Sequence, residues 1–260
     1  MNLGISGKRC LVTGACSGIG AEITRSMLEE GATVLGTARS YPNEFIDSLN
    51  SSEKSRFLFA QAELSTRDGV EKFISTKDFE FDIVINNAGH TCDITDPFCD
   101  ADDWASVMQL NFLSPVAIAT ASVPHMKRRN WGRIVNITSC AGLENSGPVT
   151  FTSAKAALTA YTRSMGRVLA IESQGIVMTA VYPGVIVTQG GHWDTILKED
   201  PDRAKKYLSD RCPAGRFGEI SEFVPTVMFF ASQHASFAHG SIVGIDGGQS
   251  RHFTQASFEP

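Results

Sequence analysis

The chain has 260 residues, of which 42% are hydrophobic and 20% charged, and its formal net charge is −5. These values are typical of a globular protein with one sizeable core, and they exclude the basic surface that nucleic-acid binding requires. No apolar run reaches about 20 residues, so we expect neither a signal peptide nor a membrane anchor. The six cysteines lack the spacing of zinc ligands, so we expect free thiols in a cytoplasmic protein and no metal site.

Short β-branched runs alternate with helical patterns along the whole chain. Long helices are predicted from Ala101 to Lys127 and from Thr152 to Ser173. This alternation predicts a single α/β domain over 1–260, a doubly wound parallel sheet with helices on both faces. One polar segment, Gln189 to Gly218, interrupts the alternation, and its length predicts a lid over a site. The strand runs are "RCLVTG", "TVLGTAR", "RFLFAQAE", "FDIVINNAG", "GRIVNITS" and "GIVMTAVYPG".

A glycine-rich turn, "TGACSGIG", joins the first predicted strand to the first helix. Its glycines allow a tight turn and a close approach of the backbone to a pyrophosphate, and the helix N-terminus supplies free N–H groups. A position between a strand and a helix distinguishes a dinucleotide-binding turn from an ordinary one. The motif therefore predicts a Rossmann-type fold that binds a dinucleotide through Gly14, Cys16, Ser17, Gly18, Ile19 and Gly20.

The end of the second strand, "TVLGTARS", indicates which dinucleotide is bound. An acidic residue there would accept the ribose 2′-OH and repel a 2′-phosphate, but this run contains none. Arg39 lies there instead, and its planar guanidinium can pair with a phosphate. The sequence therefore favours NADP, with NAD and a merely solvated Arg39 as the alternative.

Further motifs follow in a fixed order and resemble those of the short-chain dehydrogenase/reductase family. The likeness runs from Thr13 to Gly248 and is to the single-domain branch that includes 3-oxoacyl-carrier-protein reductases. The motifs are "NNAG" at 86–89, Asn111 in "LNFLSPV", Ser139 in "GRIVNITS", Lys155 in "TSAKAAL", "YPGVIVT" at 182–188 and "GIDGG" at 244–248.

The resemblance implies a role for each matched residue. It implies a homotetramer or homodimer that transfers a hydride between nicotinamide and the carbonyl or alcohol of a small-molecule substrate. Asn111, Ser139 and Lys155 match the catalytic positions. The implied cofactor contacts beyond the glycine turn are Arg39, Glu63, Leu64, Asn87, Ala88, Gly89, Lys155, Pro183, Gly184, Ile186 and Thr188.

Phe151 stands where the family keeps its catalytic tyrosine, four residues before Lys155. A phenol there would exchange a proton with the substrate oxygen, and phenylalanine has no proton to give. Loss of a positioned acid or base typically costs 10²–10⁴-fold in rate. We therefore expect an impaired oxidoreductase, in which Phe151 is either an engineered isosteric change or a natural departure. The alternatives are a non-catalytic NADP-binding regulator and a lyase or isomerase that uses Ser139 and Lys155.

The remaining open points are a substitute proton donor and the substrate. Tyr182, Tyr207, His90 and His192 are candidate donors, whereas Tyr161 should point away from Lys155 on their shared helix. The charged lid favours a sugar-like or otherwise hydroxylated substrate, with the alternative that these charges only face solvent. The identity of the substrate and the direction of the reaction stay open.

Overall fold

A computed structural model describes residues 1–75, 78–144 and 146–251. Within these residues a sheet of seven parallel strands has the order β3-β2-β1-β4-β5-β6-β7. The chain winds outward from β1 and then returns to place β4 on the other side of β1, so the switch point lies between these two strands. The strands are β1 (Arg9–Thr13), β2 (Thr33–Ala38), β3 (Phe57–Gln61), β4 (Ile83–Asn86), β5 (Gly132–Ile137), β6 (Ile176–Pro183) and β7 (Ile242–Ile245). The predicted doubly wound parallel sheet is confirmed.

Helices cover both faces of the sheet, because successive side chains of each buried strand point to opposite sides. On β1, Val12 packs in one apolar core with residues of the first and last helices. Its neighbour Leu11 packs in the opposite core with residues of the fourth, sixth and seventh helices. The helices are α1 (Gly18–Glu29), α2 (Asn43–Ser48), α3 (Ser51–Arg56), α4 (Arg67–Ser75), α5 (Ala101–Met108), α6 (Ser114–Arg129), α7 (Val149–Glu172), α8 (His192–Glu199), α9 (Pro201–Arg211) and α10 (Ile220–Ala231).

The helix predicted from Ala101 to Lys127 differs in one respect from the observed structure. A π-helical turn, Gln109–Leu113, separates α5 from α6, and the helical path continues to Arg129. The second long helix, predicted from Thr152 to Ser173, is observed as Val149–Glu172. These shifts at the ends are small, but the π-turn matters because it contains Asn111.

The continuous helical path Ala101–Arg129 is long and apolar enough to cross a membrane, by length and composition alone. A core helix of a water-soluble protein satisfies the same test, so this is weak support for a membrane span. In the fold, α5 packs against α7 and α6 packs against α4 and β5.

The segment from Gln189 to Gly218 forms two helices, α8 and α9, held together by aromatic packing. The Trp193 ring lies 4.5 Å from the Tyr207 ring and 5.3 Å from the Phe217 ring, centroid to centroid. Its charged side chains include two ion pairs, Lys198–Asp194 and Lys206–Asp210, each with an N–O distance of 2.8 Å. Both lysines are exposed, whereas Asp210 also lines a polar cavity, so the link between the lid charges and a hydroxylated substrate stays a prediction.

Candidate active site

The glycine turn leaves β1 with a backbone that only glycine adopts readily. Gly14 and Gly18 have φ angles of 63° and 50°, in the left-handed region. Gly20 is required for a different reason, since a Cβ there would lie 1.9 Å from the carbonyl oxygen of Gly14. Ser17 precedes α1 and makes no side-chain hydrogen bond to the first turn of that helix. The N–H groups at the start of α1 are therefore available to a bound anion.

The NNAG segment is tied to the glycine turn by hydrogen bonds. The Thr13 hydroxyl oxygen accepts from the backbone N–H groups of Asn87 and Ala88, both at 3.0 Å. The Asn87 side-chain amide donates to the carbonyl oxygens of Thr13 and Gly14 at 3.0 and 3.1 Å. These four hydrogen bonds hold the end of β1 against the segment that follows β4, at the switch point of the sheet. The role of Thr13 was not anticipated from the sequence.

A cleft of about 540 Å³ runs from the glycine turn to the end of β2. Arg39, Glu63 and Leu64 line it, so three of the residues matched to the adenosine side come together. Arg39 is exposed and, among the described residues, forms no ion pair within 4.0 Å. Burial raises the pKa of the Glu63 carboxyl, but hydrogen bonds from Ser65 and the charge of Arg39 outweigh it, so the pKa is lowered.

A second cavity, of about 310 Å³, runs from the glycine turn to the matched catalytic residues. Gly14, Ser17, Ala88 and Gly89 line both cavities. The two cavities therefore meet at the switch point and make one elongated crevice. Its far end is lined by Ser139, Phe151, Lys155, Pro183 and Thr188, and Ile19, Gly20 and Asn87 line its near end.

Lys155 is the buried charge of this site, only 3% exposed. Its Nζ donates to the carbonyl oxygen of Ile137 at 2.9 Å and lies 5.6 Å from the centre of the Phe151 ring. Burial lowers the pKa of Lys155 to about 8. The ammonium therefore titrates near neutral pH, next to an apolar ring that can share no proton with it.

Asn111 lies behind Lys155 and does not line the cavity. Its side-chain amide donates to the carbonyl oxygens of His90 and Val107 at 2.8 and 2.9 Å, and its Oδ1 accepts from the His90 N–H at 3.2 Å. A Cβ on Gly89 would lie 2.8 Å from Lys155 Nζ and 2.9 Å from Asn111 Oδ1. Asn111 Oδ1 and Lys155 Nζ thus both lie beside the Cα of Gly89, and the π-turn positions Asn111 for this contact.

Ser139 follows β5 and is half-buried at the cavity wall. Its hydroxyl oxygen accepts from the Ala141 N–H at 3.1 Å and so begins the short helical turn Cys140–Gly142. Because that bond uses a lone pair and not the proton, the Ser139 hydroxyl can still donate to a substrate oxygen.

Other matched residues shape the crevice without lining these two cavities. Gly184 packs against Asp246, where a Cβ would lie 2.6 Å from the Asp246 Cα. Ile186 is buried in the core with α10, and its N–H donates to the Gly184 carbonyl oxygen. Burial raises the pKa of the Cys16 thiol to about 12, so this thiol stays neutral in the glycine turn. Gly18 is close to Thr188: a Cβ added to Gly18 would lie 3.6 Å from the Thr188 Cβ.

The candidate substitute donors do not line the cavity that holds Phe151 and Lys155 in the described structure. Tyr161 packs edge-on against Phe112, and burial raises its phenol pKa to about 12. The hydroxyls of Tyr182 and Tyr207 pair with Ser250 and Gln249 respectively. His90 and His192 are both exposed.

The crevice fits a dinucleotide on observations of this structure alone. The turn between β1 and α1 keeps its close Gly14–Gly20 contact only because Gly20 lacks a Cβ. Free N–H groups at the start of α1 face that point, and the crevice extends from it in two directions. A nucleotide fits the Arg39 end and a second nucleotide the Lys155 end.

Comparisons with known proteins agree with this geometry. Residues 8–194 match the family model described as short chain dehydrogenase. The chain is 32% identical to the 3-oxoacyl-[acyl-carrier-protein] reductase FabG of Thermotoga maritima over 253 residues, covering 94% of this chain and 98% of that protein. It is 33% identical to the FabG of Salmonella typhimurium over 249 residues, covering 95% and 98%.

Solved structures give the same result. L-sorbose reductase from Gluconobacter frateurii, complexed with NADPH and L-sorbose, superposes with a TM-score of 0.84 at 28% identity, covering 98% of this chain and 100% of that chain. A 3-oxoacyl (acyl-carrier-protein) reductase from Agrobacterium tumefaciens with NADP bound superposes with a TM-score of 0.85 at 25% identity, covering 95% of each. The chain belongs to the short-chain dehydrogenase/reductase family.

Proposed function

We propose that the chain is an NADP-dependent oxidoreductase that interconverts a carbonyl and an alcohol on a small, polar substrate, with turnover limited by Phe151. The observation that carries this proposal is the single crevice, which has Arg39 at one end and Ser139, Phe151 and Lys155 at the other. The proposed unit is one dinucleotide-binding domain over 1–260 with a lid at about 189–218.

When bound, the cofactor supplies or accepts a hydride at its nicotinamide ring. The chain holds it with the glycine turn, the NNAG segment and the loop from Pro183 to Thr188. Ser139 donates a hydrogen bond to the substrate oxygen and fixes its position. Lys155 places a positive charge beside that oxygen, and Asn111 positions Lys155 from behind Gly89. Phe151 stands in the place of the phenolic acid, and no tyrosine is among the described residues that line the cavity. Proton exchange is therefore the slow step of the reaction.

The cofactor preference rests on Arg39. The cleft that it lines contains the end of β2, where an acidic residue would oppose a 2′-phosphate, and both solved structures named above hold NADP or NADPH. NADPH should bind more tightly than NADH. Arg39→Asp should reverse the order, because the carboxylate accepts a ribose hydroxyl and repels a phosphate. Titration of nicotinamide fluorescence measures both constants, and an unchanged preference in Arg39→Asp would contradict this role.

A second candidate function follows from Phe151 itself. A protein that binds NADP without turnover, and reports the cofactor's state through its lid, needs the crevice but not the phenol. A lyase or isomerase that uses Ser139 and Lys155 would form product without net cofactor oxidation. Product analysis beside NADPH absorbance separates the three: an oxidoreductase couples the two signals, a lyase or isomerase shows product alone, and a regulator shows neither.

We propose a homotetramer or homodimer in the cytoplasm as the working form. Apolar side chains exposed on α7 and after α10 support assembly, among them Ile171 at 72% and Phe237 at 99% exposure. All six cysteines are free, which suits a reducing compartment. Sedimentation equilibrium of the parent protein and of Ile171→Glu tests the assembly, since a charge at the centre of an interface should shift the mass toward smaller species.

A further inference from the structure

A polar cavity lies between the lid and the loop that follows Ser139, outside the crevice described above. Its volume is about 360 Å³, and its wall contains Glu144, Ser146, Asp210, Arg211, Gln249 and Arg251. These residues come from three separate parts of the chain: the loop before α7, the end of α9 and the segment after β7. The wall has two cationic and two carboxylate side chains, so it carries no net preference for an anion or a cation.

Gln249 brings one unpaired polar atom to this wall, its side-chain oxygen. It is only 5% exposed, and its side-chain N–H donates to the Tyr207 hydroxyl at 2.8 Å. Its Oε1 is buried and accepts no hydrogen bond in the described structure. A buried amide oxygen without a donor is costly and uncommon in folded proteins. Gln249 therefore gives the cavity wall an acceptor that the described protein leaves unpaired.

A series of contacts connects Gln249 to the catalytic serine. Cys140, which directly follows Ser139, has its Sγ 3.9 Å from the Ser146 Oγ. Burial raises the pKa of the Tyr207 phenol, while hydrogen bonds with Gln249 and Ser146 act in the opposite direction. Ser146 and Tyr207 thus lie between Cys140 and Gln249. Through Ser146, which lines it, the cavity lies beside the loop that begins at Ser139.

We propose that Gln249 and Ser146, with Tyr207 holding the Gln249 side chain in place, form a subsite for the hydroxyl groups of an uncharged, polyhydroxylated substrate whose carbonyl lies at Ser139. The placement of the carbonyl rests on the proposed function, whereas the subsite itself requires only binding. A hydroxyl both donates and accepts, so it satisfies the Gln249 oxygen and also matches a wall of mixed donors and acceptors. A saturated acyl chain has no donor for that oxygen. A carboxylate also has no donor for that oxygen, and the two cationic and two carboxylate side chains of the wall offer it no net attraction.

The test measures binding by ligand-observed NMR with the full-length Phe151 protein, with and without NADPH. The probes are L-sorbose and D-fructose as neutral ketoses, 5-keto-D-gluconate as an anionic one and acetoacetyl-CoA as an acyl thioester. Gln249→Leu should weaken ketose binding by roughly 5- to 100-fold, as expected for loss of a buried hydrogen bond. Tyr207→Phe should also weaken it, and this second variant keeps the test valid if Gln249→Leu does not fold. Tyr161→Phe, a buried tyrosine outside the site, should bind ketoses like the parent.

The outcomes are distinct. Unchanged ketose affinity in folded Gln249→Leu and Tyr207→Phe would overturn the subsite, as would no ketose binding or stronger binding of acetoacetyl-CoA or 5-keto-D-gluconate. Variants that lose ketose affinity while their NADPH dissociation constant stays within twofold of the parent's support it. Ketose binding that depends on Gln249 in a protein that binds no NADPH would uphold the subsite and refute the proposed function.

Discussion

Lys155 should make the stability of this protein depend on pH in a way that its removal abolishes. Burial lowers its pKa to about 8, whereas an unfolded lysine titrates near pH 10.4. Between these two values the unfolded chain binds more protons than the folded chain. The free energy of unfolding therefore rises with pH across this window. Below the window Lys155 is protonated in both states and adds no pH dependence.

The magnitude follows from the same two pKa values. A drop from 10.5 to about 8 corresponds to about 3 kcal/mol once pH exceeds the unfolded pKa, and about 2 kcal/mol of it is reached by pH 9.5. Lys155 is 3% exposed, so solvent screening reduces this figure little. Lys155→Met removes the titrating group and keeps a side chain of similar length.

Urea denaturation of the parent and of Lys155→Met at pH 7 and pH 9.5 measures the effect. The free energy of unfolding of the parent, minus that of the variant, should increase by about 2 kcal/mol between the two pH values. The subtraction removes groups that both proteins share, including the cysteine thiols. If the two proteins show parallel pH profiles, Lys155 keeps an ordinary pKa and the electrostatic description of the site is wrong.

Two further predictions concern the cofactor end of the crevice. Gly20→Ala should weaken NADPH binding more than tenfold, because its Cβ would lie 1.9 Å from the Gly14 carbonyl oxygen. Gly7→Ala is the control: its Cβ would have no atom within 4 Å, so the strain of its φ of 74° should lower stability while NADPH binds as in the parent. Equal dissociation constants for both variants by fluorescence titration would contradict the role of the turn. Thr13→Val should lower the free energy of unfolding by about 2 kcal/mol, because it leaves the Ala88 N–H without its acceptor, whereas the Asn87 N–H keeps the Ile85 carbonyl oxygen at 3.1 Å. Thermal and urea unfolding check this, and a neutral result would mean that the Ala88 N–H finds another acceptor.

The doubly wound parallel sheet and the glycine turn of the crevice could be predicted from the sequence because they depend on local patterns. Apolar runs at strand spacing define the layers, and the glycines at 14, 18 and 20 mark a turn that other residues cannot adopt. The π-turn at Gln109–Leu113 has no comparable signature, since one extra residue in a helical turn leaves the apolar periodicity almost unchanged. The sequence therefore indicates Asn111 as a site residue but not why it reaches Gly89.

Contacts between distant segments account for the rest of what was missed. Thr13 meets Asn87 across 74 positions, and Tyr207 meets Gln249 across 42. No local spacing joins such pairs: the pairing of β1 with β4 brings the first together, and the packing of α9 against the segment after β7 brings the second. The charges of α9 show the same limit of local patterns, since Asp210 pairs with Lys206 and also lines the polar cavity beside Gln249.

Restoring the phenol at position 151 tests most directly whether this is an oxidoreductase site that lacks only its proton donor. Residue 151 lies one helical turn before Lys155 on α7, and its ring already contacts the same cavity and the same ammonium. NADPH oxidation should be measured for the parent, Phe151→Tyr and Phe151→Tyr/Lys155→Met against neutral ketoses, keto acids and an acyl thioester. We predict that Phe151→Tyr raises turnover by about 10²–10⁴-fold with little change in NADPH affinity, and that the double variant loses this gain. A parent protein that already turns over as fast as Phe151→Tyr would contradict the assignment, because proton transfer would then run through another group.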